Sequence, residues 1–368
     1  MDQKTDQKMQ RQVPWSPPDM GESEKKAAIE VINSGWITQG KITEALEKEL
    51  AGKIGCKHCV VVNNGTSALI TALLAHGIGP GDEVIVPALT FIATINSVIA
   101  VGAKPVLADS DIETFNTTPE IVKQRITEKT KAIMPVDVAG MPVDIDGFKK
   151  LAEENNLVLI EDAAEAIGAG YKGRNIGSFG HTSIFSFHMA KLCAGGEGGC
   201  ISTDDDAFAE KCRMICNHGM KGRYEYLSFG LNFRITDIQS AIIREQLKKL
   251  DHYVKSRNGF ADIYKKNLKN AVFQKIPSYV DAHPWMIFGV LVDKDKRDAI
   301  IKKLNENGIG TRICWPAPHK QGYHTGLFSG SYPNCEEISS RIINLPMGNA
   351  LTVADIEYVC RIFNEANR

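Results

Sequence analysis

The chain has 368 residues, enough for two or three domains at roughly 150 residues each. Apolar residues make up 43% and charged ones 24%, which excludes disordered, collagen-like and coiled-coil classes and leaves material for a sizeable core. With 43 Lys and Arg against 44 Asp and Glu the net charge is −1, which excludes coating of nucleic acid or an acidic membrane by bulk charge but not a local phosphate pocket.

Residues 1–12 are polar and charged, with no apolar run, and read as a disordered tail without a targeting signal. From about residue 60, short β-branched runs alternate with helical patterns. The predicted strands are Cys59–Val62, Glu83–Pro87, Lys104–Ala108, Ala132–Val136, Val158–Glu161, Thr182–Phe187 and Gly199–Ser202. Helical period appears between the early ones, as in Ser67–His76 and Phe148–Asn155. The stretch from Val84 to Ala103 is the longest apolar one. Pro87, Thr90, Thr94, Asn96 and Ser97 interrupt it, which suits a buried strand and a helix and not a membrane span. Strands recurring with helices between them imply a largely parallel sheet covered on both faces, with the last two runs an antiparallel pair.

After Ile235 the pattern changes. One long helix is predicted from Asp237 to about Asn267, then a strand at Met286–Val292 and a helix at Lys296–Asn307. A loop rich in Pro and aromatics, Cys314–Tyr323, and a final helix, Val353–Asn367, complete the chain. The division this predicts is a large α/β domain over 13–245 and a small α+β domain over 246–368.

The chain has nine Cys, an odd number spread through apolar stretches, as expected of a reduced cytoplasmic protein. Cys56 and Cys59 have C-x-x-C spacing without a second pair, and Cys212, Cys216 and His218 read as core packing at a helix end. No metal site is expected.

Three signals fall at predicted strand ends, where open α/β sheets bind ligands. Asn64-Gly65-Thr66-Ser67 follows a strand and opens a helix, where free N–H groups and hydroxyls suit a phosphate, although a plain helix cap needs the same residues. Glu161-Asp162 ends a strand and aims a carboxylate. Lys191, after Ser186-Phe187-His188-Met189-Ala190 and before the loop Gly195-Gly196-Glu197-Gly198-Gly199, is placed for imine chemistry or simply for solvent. Together, a phosphate-binding helix start, a strand-end Asp and a Lys match the needs of pyridoxal phosphate. Phe91, at another strand end, is a candidate to stack on its ring, with core packing the alternative. Gly77-Ile78-Gly79-Pro80-Gly81 is no dinucleotide fingerprint, because it precedes a strand instead of following one.

The text around these signals resembles the DegT-type (DegT/DnrJ/StrS) aminotransferases, fold-type I pyridoxal-phosphate enzymes that make amino-deoxy nucleotide sugars. The likeness runs from about Val13 to the C-terminus. It is carried by Ser34–Gly40, Asn64–Leu69, Gly77–Val84, Glu161–Ala164, Ser186–Lys191, Gly196–Gly199 and Asn232–Gln239. The resemblance implies that Lys191 is the Schiff-base lysine and Asp162 the partner of the pyridine nitrogen. Gly65, Thr66, Ser67 and Ser186 fall at the phosphate, Phe91 at the ring face and Glu165 near the phenolic oxygen, where many members carry Gln or His. Asn232 matches a residue that reaches the neighbouring subunit's cofactor, which implies a homodimer with shared active sites. Sugar dehydratases of this fold carry His at the lysine position, so Lys191 favours transamination; His188 reads as packing or as support behind the residues that touch the cofactor. Trp36, Thr38, Arg234, His319 and Tyr323 lie in segments that line the sugar-nucleotide site in relatives. The implied reaction takes L-glutamate as donor and a nucleotide-diphosphate keto-sugar as acceptor. Its 312–323 loop resembles that of C4 aminotransferases such as perosamine synthases. A keto-cyclitol aminotransferase and a non-enzymatic regulator on the same scaffold are the rival readings.

Overall fold

The computed structural model describes residues 11–328 and 330–368, so residues 1–10 of the expected tail lie outside it. Arg11 pairs with Asp355 at 2.5 Å, and Val13 forms a parallel bridge with Ile309, so the chain from Arg11 onward is packed. Two helices that the sequence pattern does not announce, α1 (Glu22–Ser34) and α2 (Lys41–Ile54), come first. Both have charged surfaces, and α2 buries only a narrow stripe of Leu46, Leu50 and Ile54 with Thr43.

Seven strands then build the central sheet: β1 (His58–Val62), β2 (Glu83–Pro87), β3 (Lys104–Ala108), β4 (Thr130–Ile133), β5 (Val158–Asp162), β6 (Thr182–Ser186) and β7 (Gly199–Thr203). Their spatial order is β1-β7-β6-β5-β4-β2-β3. The strands from β6 to β3 run parallel, while β7 is antiparallel to both β1 and β6. Helices α3 (Gly65–Ala75), α4 (Ile92–Ala100) and α5 (Ile145–Glu154) connect the parallel strands, and α6 (Asp206–Cys216) follows β7. Strands β2, β6 and β7 are buried on both faces; β2 meets this with the apolar run Val84–Val86, while β6 and β7 combine apolar residues with small Ser, Thr and Gly. The β4 ladder stops at Ile133, earlier than its apolar run, because Pro135 has no N–H to offer; Val136 rejoins as an isolated bridge to Asp162.

The single long helix expected after Asp237 is two, α7 (Asp237–Lys248) and α8 (Leu250–Asn267), broken at Lys249. Leu250 and Tyr253 then turn into the core, while the Lys249 ammonium reaches Glu24 at 2.7 Å. A second buried cluster gathers α8, a three-stranded antiparallel sheet, and helices α9 (Lys294–Glu306) and α10 (Val353–Ala366), with Val13 inserted from the start of the chain. The strands of that sheet are β8 (Val272–Phe273), β9 (Phe288–Leu291) and β10 (Ile342–Leu345). Cys212 and Cys216 are buried on α6. Among the described residues no helix is long and apolar enough to cross a membrane.

Glu24 ties α1 to the α7–α8 junction. Its carboxylate accepts from Gly21 N–H at 2.9 Å, Gln246 Nε2 at 2.8 Å and Lys249 Nζ. Burial works to raise the Glu24 carboxyl, but the hydrogen bonds from Lys249, Gly21 and Gln246 outweigh it and bring its pKa from 4.5 to about 2. A carboxyl lowered in the folded state stabilises fully above its unfolded pKa, and that stability is lost as pH falls through the folded value. Glu24→Gln is therefore expected to cost about 1.5–3 kcal/mol at neutral pH. In urea titrations the difference from the parent should shrink between pH 4.5 and 2; a gap independent of pH would show that the charge is not what Glu24 contributes.

Candidate active site

The site starts at the turn from β1 into α3. Asn64 caps the helix, its side-chain oxygen accepting Ser67 N–H at 2.8 Å. Ala68, Leu69, Ala72 and Leu73 are buried and pin α3 against the sheet. The first-turn N–H groups of Gly65 and Thr66 therefore point out of the helix start without intrahelical partners. The β7 strand runs close beneath this turn: a Cβ on Gly199 would stand 2.5 Å from the Asn64 carbonyl group, so only glycine fits there. Ser186, last residue of β6, lies over Gly65, where an added Cβ would meet its Oγ at 3.4 Å. Helix start and hydroxyls together form an anion cradle that needs no basic side chain.

Asp162 ends β5 and is only 4% exposed. Its carboxyl accepts from Thr94 Oγ1 at 2.7 Å and from Ala164 N–H at 3.2 Å, and the Thr94 hydroxyl lies 2.7 Å from that of Thr90. Burial pushes the Asp162 carboxyl up, against the opposing pull of Thr94, the Ala164 amide and the Lys191 charge. Lys191 Nζ donates to Glu165 Oε1 at 3.0 Å, and Ala139 N–H holds the other Glu165 oxygen at 3.0 Å. The loop bearing Lys191 is closed by backbone bonds from Phe187 to Gly198, Gly195 to Phe187 and Met189 to Gly196.

A cavity of about 700 Å³ opens over these groups. All the expected cofactor residues except Asn232 line it, Phe91 standing at its edge, 56% exposed, as the N-cap of α4. The cavity of this chain does not include Asn232, Trp36, Thr38, Arg234, His319 or Tyr323. Arg234 donates to Asn217 Oδ1 at 2.6 Å, and Asn217 bridges Asn232. His319 sits 3.1 Å from Glu336, while Trp36 and Tyr323 are largely in solvent. Sequence reading passed over Thr94, which stood out only as a polar break in an apolar run. It also passed over Trp15, Met286, Arg312 and Trp315, which reach the cavity from the start and the last third of the chain.

A lysine amine, a buried carboxyl and a hydroxyl-lined helix start on one cavity are the groups that a pyridoxal-phosphate enzyme needs. Residues 18–364 match the model of the DegT/DnrJ/EryC1/StrS aminotransferase family, and the chain belongs to that family. Its fold is similar to DesV of S. venezuelae, solved with a ketimine intermediate, at 34% identity over 94% of each chain and a TM-score of 0.90. Helicobacter pylori PseC, an aminotransferase of pseudoaminic acid biosynthesis, is 28% identical over 97% of this chain and 99% of its own, with a TM-score of 0.91. 3-Amino-5-hydroxybenzoic acid synthase is 27% identical over 97% and 99%, again at 0.91. The family's cofactor is pyridoxal phosphate.

The residues present suit that cofactor. The Asp162 carboxyl is buried with two neutral donors and is held above its usual range by burial, so a cationic N–H is the donor it lacks. The α3 start with Ser67 and Ser186 offers the N–H and O–H donors a phosphate needs. Thr94→Val, which removes one hydroxyl from the buried carboxyl, is expected to weaken cofactor binding about tenfold or more, in line with ~1.5–3 kcal/mol for a hydrogen bond to a charged group. Absorbance titration of the apoprotein measures it; unaltered affinity would show that Thr94 only packs.

Proposed function

We propose that this protein is a homodimeric aminotransferase that moves the amino group of L-glutamate onto a 4-keto-6-deoxyhexose carried on a nucleotide diphosphate, a step in amino-sugar formation for surface polysaccharide. The observation that carries this reading is the Lys191–Glu165 contact at 3.0 Å beside the buried Asp162, on one cavity of an aminotransferase-family chain. Lys191 and Asp162 are both present, which speaks against a regulator that has shed its chemistry. Similarity to 3-amino-5-hydroxybenzoic acid synthase favours a keto-cyclitol acceptor as the second reading.

In this reading Asp162 takes the cofactor's ring nitrogen and Phe91 its ring face. Thr66, Ser67, Ser186 and the Gly65 end of α3 take the phosphate. Bound pyridoxal phosphate supplies an electron sink and a carrier for the amino group. Lys191 Nζ is the amine that takes and returns protons at the reacting carbons, and positioned transfer of this kind is worth about 10²–10⁴-fold. Glu165 Oε1 orients that amine and stabilises it when it is charged. Asp162, kept from water, holds a proton on the ring nitrogen through a charge-assisted hydrogen bond.

Support for the dimer comes from the surface. Trp36, Ile37, Tyr224, Tyr226 and Phe229 stay exposed, more large apolar side chains than a lone chain usually leaves in water. Asp237 N–H donates to Ile37 carbonyl at 3.2 Å and joins their two segments close to Asn232 and Arg234. A second copy covering this face brings those two residues, with Trp36 and Thr38, to the neighbour's cavity.

Lys191→Ala is expected to abolish turnover and the visible absorption of the cofactor-loaded enzyme, and normal turnover would sink the mechanism. Asp162→Asn should keep the fold and lose most activity. Mixing and refolding inactive Lys191→Ala with Asn232→Ala should restore activity, because one site of the mixed dimer then has both intact residues; no recovery would count against shared sites. Incubation with glutamate and separate panels of nucleotide keto-sugars and keto-cyclitols, read by product mass and regiochemistry, decides the acceptor.

A further inference from the structure

The two cavity carboxyls, Asp162 and Glu165, are held from behind by groups that do not reach the cavity. Glu161 precedes Asp162 on β5, so its side chain leaves the opposite face of the sheet. There its Oε2 accepts from Ser183 Oγ at 2.6 Å and lies 3.1 Å from His181 Nε2. Its Oε1 has no hydrogen-bond partner among the described residues, although the residue is 1% exposed. Asp137 is in the same condition: wholly buried, its Oδ1 accepts Val143 N–H at 2.9 Å and its Oδ2 has no partner among the described residues. The two carboxyls are within hydrogen-bonding reach of each other, and burial, with the Glu161 charge next, pushes Asp137 well above the ordinary carboxylate range. Two ionised carboxylates would be two buried acceptors facing each other with no donor. One proton between them turns the pair into a donor and an acceptor, which satisfies both orphaned oxygens.

The backbone couples this pair to the cavity. Asp137 N–H donates to the Asp162 carbonyl at 3.1 Å, and Asp162 N–H to the Pro135 carbonyl at 2.9 Å. Just past Asp137, Ala139 sits at φ 64°, a left-handed conformation uncommon for a residue with a side chain, and from there its N–H holds Glu165 Oε2. Gly140, at φ 88°, passes so close that a Cβ would stand 2.6 Å from the Glu165 carbonyl oxygen.

We propose that Asp137 and Glu161 share one proton, and that this buried acid pair is the positioning element that locks the segment following β4 to the end of β5 and so aims Asp162 and Glu165 into the cavity. The pair touches neither substrate nor cofactor. Its positioning role rests on the proposed function of Asp162 and Glu165; the shared proton does not.

Infrared difference spectra of the cofactor-loaded protein near neutral pH test the proton. The carbonyl stretch of a protonated carboxyl should be present in the parent and vanish in both Asp137→Asn and Glu161→Gln, which are isosteres that preserve one donor and one acceptor. Absence of that band from both differences overturns the shared proton. Cofactor affinity tests the positioning. Asp137→Asn should bind within a few-fold of the parent, because its amide replaces the proton, whereas Asp137→Ala should lose about tenfold, ~1.4 kcal/mol. Unchanged affinity in Asp137→Ala, or equal losses in the two variants, overturns the positioning role. The infrared arm uses only isosteres and does not depend on the alanine variant folding. Neither readout uses an acceptor, so a wrong assignment of the sugar leaves both intact.

Discussion

A carboxyl taken out of water is expensive to keep charged, and the large sheet places one, Asp162, at the end of its fifth strand. Asp162 sits where β5 ends, between β6 on one side and Val136 on the other, so its backbone is fixed from both flanks. The helix that follows β2 contributes the Thr94 hydroxyl to it, and the loop after β6 brings the Lys191 charge near it. Those supports come from different connections of the sheet, Thr94 from the parallel crossover between β2 and β3 and Lys191 from the loop joining the antiparallel β6 and β7. Loss of the strand order would scatter them.

The antiparallel β7 is the second constraint. Inserted between β1 and β6, it places the start of α3 and the end of β6 on one rim and leaves Gly199 against the Asn64 turn. A phosphate cradle built from N–H and hydroxyl groups then faces a carboxyl and an amine across a single cavity. Under the proposed function, a chain of net charge −1 serves a phosphorylated cofactor because the positive end of a helix does what a cluster of lysines would otherwise do.

Much of this was legible in the residues. The seven strands of the sheet announce themselves because short runs of β-branched and apolar residues recur between turn residues, and helical period between the early ones marks the crossovers. Lys191, Asp162 and Ser67 stood out because strand ends and glycine-flanked turns are punctuated in the text. Helices α1 and α2 did not, since a surface helix with a narrow apolar stripe resembles polar loop. The break at Lys249 was invisible too, because what turns the chain there is packing of Leu250 and Tyr253 and the pull of Glu24, more than 200 positions away.

Sequence alone was enough to establish the parallel α/β class, the pyridoxal-phosphate cofactor and the family, since these depend on local patterns: strand, turn, helix start and the residue placed at each junction. Only the tertiary structure decided that Thr94 shares the Asp162 carboxyl, that Glu165 faces Lys191, and that Trp15 and Arg312 close over the same cavity. It also separated the expected cofactor residues that line the cavity from Asn232, Trp36 and Arg234, which lie outside it. The reason is physical: hydrogen bonds and burial between residues far apart in the chain depend on which strands become neighbours, and strand order is set by the packing of the whole sheet and not by any one segment's composition.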